Sequence, residues 1–244
     1  LQAGLEAIAY NLNRKQGDIL FFEFGKTYLN KENHYDENEK LALYVSGYKM
    51  AEAWRNKPVP VDVYFLKGYL ENIFSLMGVS KIEFSNTLHP DLKEAQTVLI
   101  KDKNAGAFGK VSLKILEQFG IKQPVFYAEI DWDSLVKQSG RVKITYHEIP
   151  RFPSVRRDLA LILDKNIPFA SVEKTAYDIR SNILQSVNLF DVFESEKVGA
   201  GKKSYAVSFI FQHPEKTLTD KEVDKAMQKL VFTFEKELKA EIRK

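Results

Sequence analysis

The sequence predicts an α+β protein with two consecutive domains, each built from an antiparallel sheet and helices. Three observations lead to this prediction. The chain has 244 residues, which is enough for two ordinary domains. Its first part contains several strand-like segments and few helices, whereas its last part follows the order strand, helix, strand, strand, helix. A stretch at 136–153 contains a Gly, two Pro and several charges, so we place the domains at residues 1–145 and 146–244.

The first domain is predicted to be a mostly antiparallel sheet covered by helices. A helix at 1–13 is indicated by apolar residues at helical spacing: Leu5, Ile8, Ala9 and Leu12. A second helix is expected at about 63–78, after two prolines. Strands are expected at 18–29, 41–48, 81–85, 95–101, 107–112 and 125–131, with a short helix between the last two. The polar segment 30–40 has the composition of an exposed connection.

The second domain has a clearer order of elements. Strands are expected at 157–164, 186–197 and 202–212, with a helix at 168–184 between the first two. A last helix at 220–239 begins with a predicted capping box, in which Thr219 caps the helix and Glu222 reaches back. A final strand follows at 240–244. This βαββα(β) order is that of the ferredoxin-like split βαβ unit.

Side-chain alternation along these strands predicts which side of the second sheet faces the helices. The large side chains of the third strand must be buried against the helices: Tyr205, Val207, Phe209 and Phe211. In the first strand Leu159, Leu161 and Leu163 take the same side. In the second strand alternation places Phe190 and Val192 inward and Leu189, Asp191 and Phe193 outward.

The outward side is predicted to suit a flat aromatic ligand such as a nucleobase. Phe193 offers a stacking surface, and Asp191 can accept hydrogen bonds from a base. Their neighbours Ala160 and Ser204 are small enough to let a base approach the backbone. Two other interpretations stay open from the pattern, namely that this side docks on another domain or is simply solvated.

Four basic residues are candidate phosphate contacts, with simpler alternatives for each. Arg156 and Arg157 precede the first strand, where they could hold phosphates or pair locally with Asp158 or Glu148. Lys202 and Lys203 lie at a predicted hairpin tip, where they could contact phosphates or be solvated. The GAGKKS segment that contains them lacks the spacing of a nucleotide-binding phosphate loop and precedes a strand, so we do not interpret it as one.

Composition excludes several classes of site but does not by itself indicate a function. The absence of Cys excludes disulfides and thiolate zinc sites, and it fits the cytoplasm. The four His are too scattered to suggest a metal site, and no apolar run is long enough for a membrane span. A net charge of +3 is too small to argue for nucleic-acid binding. Because the chain begins at Leu1 inside a predicted helix, we expect it to be a piece of a longer protein.

Two segments of the second domain, 150–164 and 189–223, resemble the anticodon-binding ferredoxin-fold domain of bacterial phenylalanyl-tRNA synthetase β subunits. Five segments upstream resemble the module that precedes it in that family: 20–29, 61–74, 88–95, 107–121 and 125–136. In the family this module has the class II synthetase fold without catalytic activity. The resemblance therefore implies a non-catalytic class II-like sheet followed by an anticodon reader.

The same resemblance implies partners, cofactors and base contacts. The family's base-contacting positions correspond to Ala160, Asp191, Phe193 and Ser204. The implied partners are tRNA(Phe) and a catalytic α subunit in an (αβ)₂ heterotetramer in the cytoplasm. ATP and Mg²⁺ would serve the whole enzyme, with no cofactor in this part. The alternative from another class is a ferredoxin-like regulatory domain that binds a small molecule.

Overall fold

A computed structural model describes residues 1–31, 34–50, 52–79, 81–140, 146, 148–195 and 198–243. The chain divides into two compact units, Leu1–Ile144 and Thr145–Lys244, called unit 1 and unit 2 below. Of the predicted boundary stretch at 136–153, residues 141–145 and 147 lie outside the described residues. Among the helices that the structure describes, none is long and apolar enough to cross a membrane.

Unit 1 is built around a six-stranded antiparallel sheet with the strand order β1-β2-β8-β7-β6-β5. Its strands are β1 (Ile19–Lys31), β2 (His34–Ser46), β5 (Ile82–Asn86), β6 (Leu92–Ile100), β7 (Lys103–Val111) and β8 (Val125–Asp131). Two short strands, β3 (Tyr48–Met50) and β4 (Val59–Pro60), pair separately. The antiparallel sheet predicted for this part of the chain is confirmed.

Helices cover both faces of this sheet. On one face α1 (Gln2–Leu12) and α3 (Leu113–Gln118) bury Leu5, Ile8 and Leu116. On the other face α2 (Val63–Leu76) and α4 (Trp132–Gln138) bury Leu66, Leu70, Phe74 and Leu135. Alternation along β2 supplies both cores, because Leu41, Leu43 and Val45 face α2 while Ala42 and Tyr44 face α1. Unit 1 therefore has three layers.

The prediction of an exposed connection at 30–40 is wrong. The hairpin of β1 and β2 pairs from Ile19↔Ser46 to Lys31↔His34, so most of this polar segment is strand. Its backbone groups bond across the hairpin, and Lys26 Nζ lies 3.0 Å from Glu37 Oε2. Cross-strand pairing thus satisfies the backbone hydrogen-bonding groups of this polar segment, so it can form strands without being buried.

Unit 2 has a four-stranded antiparallel sheet with the order β10-β11-β9-β12. Its elements are β9 (Val155–Asp164), α5 (Phe169–Asp178), β10 (Leu184–Phe193), β11 (Lys202–Phe211), α6 (Asp220–Leu238) and β12 (Glu241–Arg243). The ferredoxin-like order predicted from the sequence is confirmed. The helix predicted to reach residue 184 ends earlier, because Arg180 adopts a left-handed φ of 52° and β10 begins at Leu184.

Helix α6 begins and ends as its sequence dictates. Thr219 and Glu222 form the predicted capping box, and Leu218 and Val223 are both buried in the core of the unit. Lys239 terminates the helix with a left-handed φ of 51°, which lets the chain turn directly into β12. The edge strand β12 is thereby placed beside β9.

Candidate nucleic-acid interface

The two faces of the unit 2 sheet differ in what covers them. The face toward α5 and α6, called the inner face, carries the buried core, including Leu161, Leu163 and the four large residues predicted from alternation: Tyr205, Val207, Phe209 and Phe211. Phe209 lies 6.0 Å from Phe234 of α6 between ring centroids. The hydroxyl of Tyr205 donates to the Ile167 carbonyl at 3.2 Å, so its polar atom is satisfied.

The opposite side, called the open face, is assigned from strand register, since directly paired residues of an antiparallel sheet point the same way. It carries small and polar residues in its centre and charges near its margins. Its members are Arg156, Asp158, Ala160, Ile162 and Asp164 on β9, Lys202, Ser204, Ala206, Ser208 and Ile210 on β11, Asn188, Asp191 and Phe193 on β10, and Glu241 and Arg243 on β12.

Four of the candidate residues come together at the centre of this face. Asp191 and Ala160 flank Ala206 on either side, and Phe193 pairs with Ser204 one step along. Phe193 is 47% exposed, whereas Ser204 is only 6% exposed between Phe193 and Ile162. Within the described part of the chain, Asp191 forms no hydrogen bond or ion pair through its exposed carboxylate. An aromatic surface and an unengaged acceptor therefore lie side by side.

A β-bulge changes the assignment of two neighbouring residues. The register shifts between Leu189, which pairs with Val207, and Asp191, which pairs with Ala206. Leu189 therefore packs against the core and Phe190 is the extra residue, 49% exposed. The prediction that Leu189 points outward and Phe190 inward is wrong, because simple alternation does not allow for the bulge. Val192 takes the inner side opposite Tyr205, as predicted.

Phe190 and Arg156 meet on the open face. The Arg156 guanidinium lies 5.2 Å from the Phe190 ring centroid. It also donates to Asp158 from Nε at 2.7 Å and from Nη2 at 3.2 Å, which is the local pairing left open by the sequence. This hydrogen-bonded carboxylate raises the pKa of Arg156. The guanidinium is thus held by Asp158 close to an exposed aromatic ring.

Two further cations lie on the open face near β12. Lys202 forms an ion pair with Glu241, which raises the pKa of Lys202. Arg243 pairs in register with Ala160 and is exposed, with no ion pair to another described residue. Sequence reasoning did not single out Arg243. The signal was available, because a final strand with Ile242 facing the core must turn Arg243 to the other side.

The other two candidate phosphate contacts lie on the inner side of the sheet. Arg157 pairs in register with Phe209 and donates to Asp220 of α6 at 2.9 Å. Lys203 is 9% exposed, with its ammonium 4.6 Å from the centroid of Tyr205. The structure therefore does not bring these two residues together with the other six. Alternation could have shown this, since adjacent residues of a strand cannot share a face.

The arrangement can bind a planar, hydrogen-bonding group at the centre and anions at the margin. No group of His, Asp or Glu suited to a metal ion is found among the residues that the structure describes. A stacking surface beside a carboxylate, with the guanidinium groups of Arg156 and Arg243 elsewhere on the same face, matches the chemistry of an unpaired base and its neighbouring phosphates.

Comparison with known proteins gives matches to both units. Residues 1–132 match the family model described as the phenylalanyl tRNA synthetase beta chain CLM domain. Residues 150–243 match the ferredoxin-fold anticodon binding domain.

Curated relatives include phenylalanine–tRNA ligase β subunits from several bacteria. The chain is 44% identical to that of Bacteroides thetaiotaomicron, over 100% of the chain and 31% of the relative. It is 37% identical to that of Porphyromonas gingivalis over the same shares. It is 32% identical to that of Geobacillus kaustophilus, over 98% of the chain and 30% of the relative. The chain thus spans less than a third of the length of these relatives.

Proposed function

The chain belongs to the phenylalanine–tRNA ligase β-subunit family, and we propose that it contributes anticodon recognition of tRNA(Phe) and subunit assembly to aminoacylation. The observation that carries this proposal is the open face of unit 2, where Asp191 and Phe193 lie exposed beside the small residues Ala160 and Ala206. In this proposal residues 146–244 are the anticodon-binding domain, and residues 1–145 are a non-catalytic class II-like module.

Base recognition would combine stacking with hydrogen bonding. A base that stacks on Phe193 would gain ~1–3 kcal/mol, largely independent of its identity. The Asp191 carboxylate accepts but does not donate hydrogen bonds, so it favours a base edge that presents an N–H group. Ser204 adds less, because its side chain is almost covered. Selectivity would therefore rest mainly on Asp191.

Phosphate contacts would come from the basic residues on the open face. Arg156 stands beside Phe190, Lys202 lies at one end of β11, and Arg243 extends from β12. Arg243 has no ion pair to break among the described residues, whereas the other two must exchange Asp158 or Glu241 for a phosphate. We therefore expect Arg243 to contribute most to phosphate binding. Arg157 and Lys203, on the inner side, are left out of the proposed contact surface.

The chemistry of the unit 1 sheet supports a non-catalytic role. Glu23 on β1, Ala42 on β2 and Glu129 on β8 pair side by side in one row across the sheet. They lie on the face of the sheet that α1 covers. Next to this row Lys40 Nζ is held by Asp131 Oδ2 at 2.8 Å. Burial acts to raise the pKa of Asp131, but hydrogen bonds from Lys40 and Ser134 lower it overall. The carboxylates of Glu23 and Glu129 would repel nucleotide phosphates, and the nearby Lys40 is already paired with Asp131.

Assembly would use the exposed apolar side of the edge strand β1. Leu20, Phe22 and Phe24 are each more than half exposed on one side of this strand, with Phe24 packed 4.8 Å from Trp132 between ring centroids. Such a patch is typical of a protein–protein interface. We propose that it contributes to docking on the catalytic α subunit in a cytoplasmic (αβ)₂ heterotetramer. ATP and Mg²⁺ would act in the α subunit, with no cofactor in this part of β.

The open face can be tested by measuring binding of the chain to a labelled anticodon stem-loop of tRNA(Phe). Phe193→Ala should weaken binding by about 5- to 140-fold, because the stacking surface of ~1–3 kcal/mol is lost. Asp191→Asn should reduce discrimination against a stem-loop with one changed anticodon base. Tyr177→Ala is a matched control, since it removes another exposed aromatic of unit 2, from α5. Unchanged affinity for Phe193→Ala would contradict the proposal.

A second measurement separates this role from its alternatives. The purified chain should form no phenylalanyl-tRNA with ATP, phenylalanine and tRNA, but should bind the tRNA. Detectable aminoacylation would refute the non-catalytic role of residues 1–145. The alternative of a small-molecule sensor has no support in the comparisons, and calorimetric binding of a free amino acid or nucleotide on the open face, without binding of tRNA, would be needed to restore it.

A further inference from the structure

A stripe of basic residues runs along the outer side of α6. The lysine stripe, as we call it, consists of Lys221, Lys225, Lys229, Phe232, Lys236 and Lys239. The first five follow one another at steps of three or four, which at 3.6 residues per turn keeps them in one narrow band, and Lys239 follows at the C-cap of the helix. All six are exposed. The stripe extends for ~27 Å at 1.5 Å per residue.

The lysine stripe lies on a different surface of unit 2 from the open face. The buried side of α6 carries Val223, Leu230 and Phe234, which pack on the inner face of the sheet. The stripe occupies the other side of the helix and points away from the sheet. The helix layer and the sheet thus separate the two surfaces, so a ligand of the open face leaves the lysine stripe accessible.

None of the five lysines of the lysine stripe forms an ion pair with a carboxylate in the described part of the chain. The five carboxylates of α6 occupy other helical positions, namely Asp220, Glu222, Asp224, Glu235 and Glu237. The acidic residues of the first helical turns are engaged elsewhere, since Asp220 and Asp224 face Arg157 and Glu222 binds Lys216 and Thr219. Lys229 alone has a local partner, the Ile179 carbonyl at 3.4 Å.

The stability of the fold does not account for two members of the lysine stripe. Lys221 stands in the first turn of α6, where the helix dipole favours an anion and disfavours a cation. Phe232 is 65% exposed between Lys229 and Lys236, so it contributes little buried apolar area. By contrast, Lys236 and Lys239 near the carboxyl end are favourable for the helix itself. An aromatic ring set among cations is the pattern of a surface that binds single-stranded nucleic acid.

We propose that the lysine stripe binds the phosphate backbone of an unpaired RNA segment, with Phe232 stacking on one of its bases. A strand advances by about 3.4 Å per nucleotide in a helix, so ~27 Å of stripe could follow several consecutive phosphates. Aliphatic lysine stems on either side of Phe232 let a base approach the ring from the solvent. This contact is independent of base sequence and is additional to the proposed anticodon contact.

The test is fluorescence anisotropy of the 244-residue chain with a labelled 20-nucleotide oligouridine, at a series of KCl concentrations. The triple variant K225Q/F232A/K236Q should bind at least about tenfold more weakly, because one stacking surface and two phosphate contacts are removed. The slope of log affinity against log salt should fall by about 1.4, at ~0.7 per contact with a single strand. The matched control is W54A/K114Q/K122Q, which likewise removes one exposed aromatic ring and two exposed lysines, in unit 1.

Three results would overturn the proposal. The first is a triple variant that binds oligouridine within twofold of the wild type, and the second is an equal loss in the control. The third is loss of binding to a 20-residue polyglutamate but not to oligouridine, which would assign the lysine stripe to an acidic protein. Both variants should keep a cooperative melting curve, since all the changed residues are exposed, and only the loss of Lys236 from the last turn of α6 should lower the melting temperature slightly.

The same variants distinguish this proposal from the anticodon proposal. The triple variant should weaken binding of the cognate stem-loop and of its base-changed counterpart by the same factor. Asp191→Asn should instead reduce the difference in affinity between the cognate and the base-changed stem-loop. If only the triple variant has its expected effect, the anticodon proposal fails and the lysine stripe stands. If only Asp191→Asn has its effect, the lysine stripe proposal fails.

Discussion

The two sheets of this chain differ in how many of their faces are covered. In unit 1, α1 and α3 cover one face and α2 and α4 the other, so β2 alternates between two apolar cores. In unit 2, α5 and α6 lie on the inner face, and no helix among the described residues of this unit covers the open face. A sheet with two covered faces has little room for a broad ligand. The uncovered face of unit 2 is therefore the better position for recognition.

The exposed residues of the two sheets differ in kind as well. Unit 1 shows an apolar patch on the edge strand β1 and carboxylates such as Glu23 on the sheet itself. The unit 2 sheet shows the exposed Phe190 ring beside the Arg156 guanidinium and a second exposed ring, Phe193. Apolar patches favour protein partners, and cations with aromatic rings favour nucleic acid. The difference supports assembly through unit 1 and RNA contact through unit 2.

Loss of a ring from the inner face should have the largest effect on stability. Phe209→Ala removes a fully buried side chain and should destabilise unit 2 by ~3–5 kcal/mol. Urea unfolding followed by hydrogen exchange of β9 and β11 would measure this change. Tryptophan fluorescence should be insensitive to it, because Trp54 and Trp132 both lie in unit 1. A loss of RNA affinity with unchanged stability would mean that the two faces are assigned the wrong way round.

A smaller destabilisation is expected where α1 crosses the unit 1 sheet. A Cβ atom at Gly4 would lie 2.1 Å from Cζ of Tyr44, a ring that is 1% exposed and cannot move aside easily. Gly4→Ala should therefore cost ~1–3 kcal/mol, although this change usually stabilises a helix interior. Tryptophan fluorescence during urea unfolding would report it, with Gly68→Ala as control because that Cβ would meet nothing. A stabilised Gly4→Ala variant would show that α1 does not cover the sheet closely.

The smallest effect concerns acid stability of unit 2. Bonds from Lys216 and the capping Thr219 lower the pKa of Glu222 from 4.5 to about 2. A lowered folded-state pKa stabilises the protein above the unfolded value, so this contribution should be lost as the pH falls from 4.5 towards 2. Glu222→Gln should flatten the pH dependence of the unit 2 melting temperature in that range. Glu215→Gln, whose carboxylate forms no ion pair among the described residues, should leave it unchanged.

Much of the fold followed from the sequence because strong periodic patterns determine it. Alternation located the four buried residues of β11, and the capping box located the start of α6. Other elements could not be predicted by the same means. Helix α4 has seven residues, too few to show a helical period, although Asp131 caps it by accepting from Ser134 N at 2.7 Å. The polar end of the β1–β2 hairpin has no apolar alternation to reveal it as strand.

The candidate site was predicted in its centre but not in its margins. Ala160, Asp191, Phe193 and Ser204 share one face because each pairs in register across β11. Arg157 and Lys203 point to the inner side, which the alternation of β9 and β11 already implied. The side of Phe190 could not be predicted, since no local pattern announces a bulge.

The bulge in β10 has a consequence for how this gene can change. Losing a single codon inside a strand normally turns every later side chain to the other side of the sheet. At Phe190 the opposite holds, because Leu189 already faces inward and Asp191 outward across the extra residue. An in-frame deletion of that one codon would give regular pairing from Ser186 to Phe193 and keep Asp191 and Phe193 on their side. Loss of Phe190 is thus compatible with the recognition surface. Loss of a neighbouring, regularly paired residue such as Asn188 is not, because it would put the remaining side chains out of alternation.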